Sequence, residues 1–163
     1  MMYPADTGSD LVASLNGVRA LGADLVHVPS FVEQCLQPGS VFTSVFTRTE
    51  IRKAHEKCPD QWFQPAESGL WGPALAARWA AREAFIKAWS NQLFGQPPVV
   101  ADTPDLFQAI SVFSDAWGRP GLNVAGTVKD SFVLSCPGLS PLLSLSHDHD
   151  YALAVVTLVS TKE

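Results

Sequence analysis

The chain has 163 residues, 47% hydrophobic and 17% charged, with a formal net charge of −5. That is about one domain's worth of chain, long enough to bury a core without cross-links and too apolar to be disordered. A low charge fraction predicts that apolar surface is covered by an oligomer, and the acidic balance argues against a generic nucleic-acid footprint.

The three cysteines, Cys35, Cys58 and Cys136, are widely spaced with no CxxC pair. They imply neither a disulfide framework nor a cysteine zinc site, and a reducing cytoplasm suits them. The start, MMYPADTGSD, lacks the basic and apolar segments of a secretory signal, and no run of 18 apolar residues exists to span a membrane. Residues 1–16 read as an N-terminal extension and 17–163 as one domain.

In chain order, GVRALGADLV (17–26) is apolar in both alternating sets. That pattern predicts a strand buried on both faces, with Asp24 its only carboxylate. A short helix is expected over 30–37, after Pro29. Thr47 followed three residues later by Glu50 forms a capping box, so a helix should run from 48 to about 57. Residues 58–72 read as a loop. Pro73 opens the main helix and Gly95 closes it. QPPVV is a linker, and 108–115 a strand. WGRPG (117–121) is a turn before a returning strand, and 127–134 a short helix. LLSLSHD (142–148) and YALAVVTLV (151–159) are strands whose connecting HDHD forms a hairpin tip. This mixture predicts an α+β domain with mainly antiparallel pairing.

At about 100° per residue, Leu75, Trp79, Ile86 and Leu93 cluster on one side of the main helix, which should face the core. Ala77, Ala80, Ala81, Ala84 and Ala88 make a side where another backbone can come close. Arg78, Arg82, Phe85 and Trp89 share a third direction. Glu83 and Lys87 lie between the core side and the alanine side. Glu then Lys at i,i+4 is the common stabilising pair of helix surfaces. In a helix this apolar, however, charges need partners, and a carboxylate beside a lysine is also familiar at phosphate-handling sites. Asp24 admits two readings as well: a strand-end cap, or a metal ligand that pairs with Glu83 and substrate phosphate oxygens around magnesium. The HDHD cluster reads as a hydrophilic tip. A helix-borne metal-hydrolase site is disfavoured because the cluster lies between strands.

Three blocks together resemble the holo-acyl-carrier-protein synthases, the small 4′-phosphopantetheinyl transferases. They are GADLVHVPSF (22–31), FTRTE (46–50) with LAARWAAREAFIKAW (75–89), and WGRP (117–120) with LSLSHDHDYALAV (143–155). The order is the family's, across residues 17 to 159. The resemblance implies the phosphopantetheinyl transferase fold, a small antiparallel sheet packed on a long central helix. It implies transfer of 4′-phosphopantetheine from coenzyme A to a serine of apo acyl carrier protein, or of a carrier domain, for fatty acid synthesis. Adenosine 3′,5′-bisphosphate leaves. By the same resemblance Asp24 and Glu83 hold Mg2+, Glu83 or a metal-bound water that it orients is the base, and Lys87 stabilises the leaving group. Arg78, His147 and Asp148 contact coenzyme A. A homotrimer with sites between subunits is implied too. Two departures stand out. Ser90-Asn91-Gln92 replaces the family's G-T-G turn. FVEQCLQ carries Glu33 where the family tends to place arginines that dock the carrier, so Arg48, Arg52, Lys53 and Lys57 are the alternative basic surface. Transferases for polyketide or peptide synthetase carriers usually contain two pseudo-repeats, and none is present here. A non-catalytic coenzyme A-binding or assembly subunit is the remaining alternative.

Overall fold

The computed structural model describes residues 17–42, 44–57 and 72–161. The N-terminal extension, Cys58 and nearly all of the loop expected over 58–72 lie outside the described residues. Strand β1 (Val18–His27) runs into helix α1 (Val28–Leu36), followed by α2 (Arg48–Lys57) and α3 (Gly72–Gln92). A short α4 (Pro104–Gln108), strands β2 (Ile110–Ser114) and β3 (Pro120–Val124), α5 (Gly126–Ser135), β4 (Leu139–Asp148) and β5 (Tyr151–Ser160) complete the order. The fold is α+β. Its main sheet has the order β1-β5-β4, antiparallel throughout, and β2-β3 is a separate hairpin.

The starts of α1 and α2 have local causes. Pro29 presets the first turn of α1, whose Val28, Phe31 and Cys35 form one buried stripe. Burial pushes the Cys35 thiol up to about 11, so it is an inert core residue. The capping box of α2 is present: the Glu50 N–H donates to Thr47 Oγ1 at 3.1 Å, and the Thr47 N–H donates to Glu50 Oε2 at 2.9 Å. Helix α3 is apolar on most sides and largely buried, so tertiary packing holds it rather than a single amphipathic stripe. Among the described residues no helix is long and apolar enough to cross a membrane.

The expected core side of α3 is buried at Leu75 and Leu93 but only partly so at Trp79 and Ile86, and the deepest side holds Ala80, Ala81, Ala84, Phe85 and Ala88, all fully buried. The small side chains let the sheet come close. Gly22 of β1 lies directly on the α3 backbone, where a Cβ would collide with Ala84 O and Ala88 N. The alanine side therefore accepts a neighbouring backbone, as its composition predicts. Phe85 and Trp89 pack on Phe132 of α5 at ring separations of 5.2 and 5.4 Å.

Strand β1 is not buried on both faces. Ala20 and Gly22 are buried against α3, but Leu21 and Leu25 on the other face are 52% and 60% exposed. Among the described residues, only one layer covers this sheet. Its uncovered face continues through Leu153 on β5 and Leu142 on β4, both exposed. Two apolar sets on one strand can mean burial by this chain or by another, and the pattern alone does not separate them.

Candidate active site

Asp24 follows Gly22 on the α3-facing side of β1, one same-face step along the strand. Gly22 brings β1 into backbone contact with Ala84 and Ala88, so Asp24 arrives beside the next exposed turn of α3. There Lys87 Nζ donates to Asp24 Oδ1 at 2.6 Å. Lys87 thus pairs across elements rather than with Glu83 along the helix. The ammonium is half exposed while Asp24 is 14% exposed, so the pair sits at the rim of a packed region.

Glu83 is one turn earlier on α3 and partly buried. Its carboxyl is raised above the ordinary carboxylate range. Burial is the main cause, the Asp24 and Asp102 charges add to it, and Lys87 opposes. Asp24, Glu83 and Asp102 bring three carboxylates to one ammonium, an excess of negative charge when all are ionised. Magnesium is commonly held by one or two carboxylates plus substrate phosphates, and Asp24 with Glu83 fits that donor set. No group of three or more His, Cys, Asp or Glu residues suited to a metal occurs among the described residues.

The remaining candidate residues are distributed around this point. His147 is exposed on β4 opposite Ala152, which pairs in turn with Val26. Cross-strand partners share a face, so His147 lies on the same side of the sheet as Asp24. Asp148 alternates to the other side and contacts His149 Nδ1 at 2.8 Å, both strongly exposed at the hairpin tip. That tip is fixed by His149 at φ 46° and by Asp150 O, which accepts the Val28 N–H at 2.7 Å. Arg78 is buried, and its Nη1 donates to Ala74 O at 2.7 Å.

Arg82 has a role that its position before Glu83 does not announce. It is fully buried and donates from Nη1 and Nη2 to both carboxylate oxygens of Glu50, at 3.0 and 2.9 Å. Its other donors reach Phe107 O, Arg78 O and Val45 O, and the guanidinium lies 4.9 Å from the Phe46 ring centroid. Glu50 Oε1 also accepts the Val112 N–H at 2.9 Å. Burial alone pushes the Glu50 carboxyl up, but Arg82 and the Val112 and Thr47 N–H groups outweigh it and hold the group below its ordinary value. This node ties α2, α3 and β2 together. The capping-box pattern identifies Glu50 as a local cap, but its partner lies 32 residues away and carries no spacing signal. Asp102, in a proline-rich linker, was likewise without a sequence signal.

Residues 20–156 match the 4′-phosphopantetheinyl transferase superfamily. The chain is 42% identical over 139 residues to the holo-[acyl-carrier-protein] synthase of Corynebacterium glutamicum, covering 85% of this chain and 96% of that protein. It is 39% identical over 142 residues to the synthase of Mycobacterium tuberculosis, covering 87% and 97%. Among solved structures, the "Chronobacterium ammoniagenes ACPS-CoA complex" superimposes with a TM-score of 0.75 at 40% identity, covering 88% of this chain and 98% of that one. The chain therefore belongs to the 4′-phosphopantetheinyl transferases, and within them to the holo-acyl-carrier-protein synthase family. It is an enzyme of that transferase class.

Proposed function

We propose that this protein is a magnesium-dependent holo-acyl-carrier-protein synthase of the cytoplasm, acting in fatty acid biosynthesis. The reading is carried by one observation: Asp24 and Glu83, from separate elements, converge beside Lys87 with an excess of negative charge. The relative in the coenzyme A complex supports the donor, and the names of the curated relatives support the acceptor. The transferase domain spans residues 17–163, with 1–16 an extension.

The serine hydroxyl of the apo carrier attacks the coenzyme A phosphorus nearer the pantetheine. A phosphorus–oxygen bond forms to serine, the pyrophosphate bridge breaks, and adenosine 3′,5′-bisphosphate departs. Asp24 and Glu83 would hold Mg2+, which would supply charge neutralisation at the pyrophosphate. Glu83, or a water it orients, takes the serine proton as general base. Lys87 turns from Asp24 to the phosphate oxygens and stabilises charge on the leaving group. His147 and Arg78 contact the nucleotide half, with Asp148 beside His147. Most of the catalysis is positioning and charge placement.

The carrier docks on α2. Helix α1 holds Glu33 and no basic residue, whereas Arg48 and Arg52 are exposed on α2 and Lys53 is partly so. The uncovered sheet face, with Leu21, Leu25, Leu142 and Leu153, is the surface closed by a homotrimer. Incubation with coenzyme A, Mg2+ and a panel of apo carriers should add one phosphopantetheine mass. Glu83→Gln should abolish that gain with the fold intact. Failure of the wild type on every carrier refutes the enzymatic reading and favours a non-catalytic coenzyme A-binding subunit. A gain confined to polyketide or peptide synthetase carriers reassigns the acceptor.

A further inference from the structure

Helix α2 has two faces of opposite character. Arg48 and Arg52, one turn apart, are exposed, whereas Glu50 and Ala54 are 1% and 0% exposed. So polar a helix has little apolar surface with which to hold on. Among its described side chains only Ala54 is a buried hydrophobe, with Ile51 half-buried. Its firm attachment is Glu50, which accepts from Arg82 of α3 through both carboxylate oxygens. Arg82 immediately precedes Glu83, so this pair joins the arginine-bearing helix to the turn of α3 that carries Glu83.

Stability does not explain why the joint is ionic. Two buried charges give up their hydration, and apolar residues of similar volume commonly hold such a place as well or better. What a guanidinium fork on a carboxylate adds is direction, because two parallel N–H···O bonds fix distance and orientation together. The fork is itself locked: Nε donates to Phe107 O, Nη1 to Arg78 O and Nη2 to Val45 O. The carboxylate is locked as well, by the N–H groups of Val112 and Thr47. Helix α2 can neither slide nor turn on α3 without breaking several buried hydrogen bonds at once. Such a joint matters most where two parts of one reaction sit on the elements it connects.

We propose that Glu50 and Arg82 are positioning residues for the transfer reaction, setting the span between α2, where the carrier docks, and Glu83, which meets the carrier's serine. The inference rests on carrier docking at α2. Docking arginines and base then belong to one rigid frame, and a docked carrier presents its serine against Glu83 rather than merely near it. Both residues are fully buried, so neither touches substrate and each acts through the placement of others.

The test alters the joint and leaves both of its ends in place. The double variant Glu50→Gln with Arg82→Met removes both charges, while the amide can still complete the capping box and accept from Val112. Glu50→Asp keeps the charges and shortens the arm, so it perturbs the span even if the double variant fails to fold. Transfer rate, carrier KM and coenzyme A affinity are measured on folded variants, with thermal melts beside them. The rate at saturating carrier should fall about tenfold or more, with carrier KM and coenzyme A affinity within about twofold of wild type. A role in stability alone predicts a lower Tm with a wild-type rate per folded molecule, and that result overturns the proposal. So does a matching loss of coenzyme A affinity, since the joint would then support the donor site. Arg48→Glu with Arg52→Glu tests docking separately and should raise carrier KM severalfold. An unchanged KM there refutes docking on α2 and the inference with it, whereas a wild-type rate in the joint variants refutes the span alone.

Discussion

Replacing Gly22 with alanine tests the packing that brings Asp24 to Glu83 and Lys87. The added Cβ would overlap Ala84 O and Ala88 N and would lie 3.0 Å from the Lys87 carbonyl carbon. All three are backbone atoms of a buried helix, so no side chain can rotate away. Comfortable contacts between such atoms lie near 3.5–4.0 Å, so β1 must move off α3 by about 1 Å. Overpacking of this kind costs about 1–3 kcal/mol, set against about 0.4–1 kcal/mol gained from a stiffer unfolded chain. At a few degrees per kcal/mol, a net loss of about 1–2 kcal/mol lowers Tm by roughly 2–8 °C. The effect on transfer should be larger, because a displacement of about 1 Å in a catalytic group can cost about 100-fold. Urea unfolding and single-turnover transfer to a carrier measure the two quantities separately. Wild-type stability together with wild-type transfer would refute the account of how the site is assembled.

Three further outcomes follow from the same contacts. Lys87→Ala should lower kcat by about 10²–10³-fold, while stability changes by less than about 1 kcal/mol because its pair with Asp24 is half exposed; thermal melts beside transfer rates separate these effects. Glu50→Gln strands the buried Arg82 charge and should cost about 3–5 kcal/mol at neutral pH. Since the folded Glu50 carboxyl lies below its ordinary 4.5, its contribution is complete above that pH and is lost as pH falls through the lowered value; urea midpoints between neutral and acid pH should therefore fall less steeply in the variant. Leu25→Asp puts a charge on the uncovered sheet face and should shift the light-scattering mass toward the monomer, and an unchanged mass would place the subunit contact elsewhere.

The local parts of this architecture could be read before the fold was known. Thr47 and Glu50 predict the start of α2 because a capping box is complete within four residues. The alanines of α3 predict a close backbone neighbour because they recur at helical spacing. What could not be read depends on partners distant in sequence. Arg82 and Glu50 are unremarkable apart and form one node only in the fold. The α4 helix, five residues long, is shorter than the window in which periodicity is detectable. Asp24 stood out as the sole carboxylate of an apolar strand, but its pairing with Lys87 rather than Glu83 with Lys87 required the register of β1 on α3. The exposed leucines of β1 were misassigned for a different reason: an apolar side chain looks the same in sequence whether its cover comes from its own chain or from a neighbour.

The sheet order also has a consequence for biosynthesis. Strand β5 lies between β1 and β4, so the first strand pairs with the last, Val18 with Val159 and His27 with Tyr151. A nascent chain that has emerged as far as α5 already contains Asp24, Glu83 and Lys87, but not the strand on which β1 is aligned. Contacts of such long sequence separation form late and slowly. Catalytic competence should therefore arrive only after the ribosome has released β5, and a chain stalled before Tyr151 should expose the whole edge of β1 to whatever strand it meets.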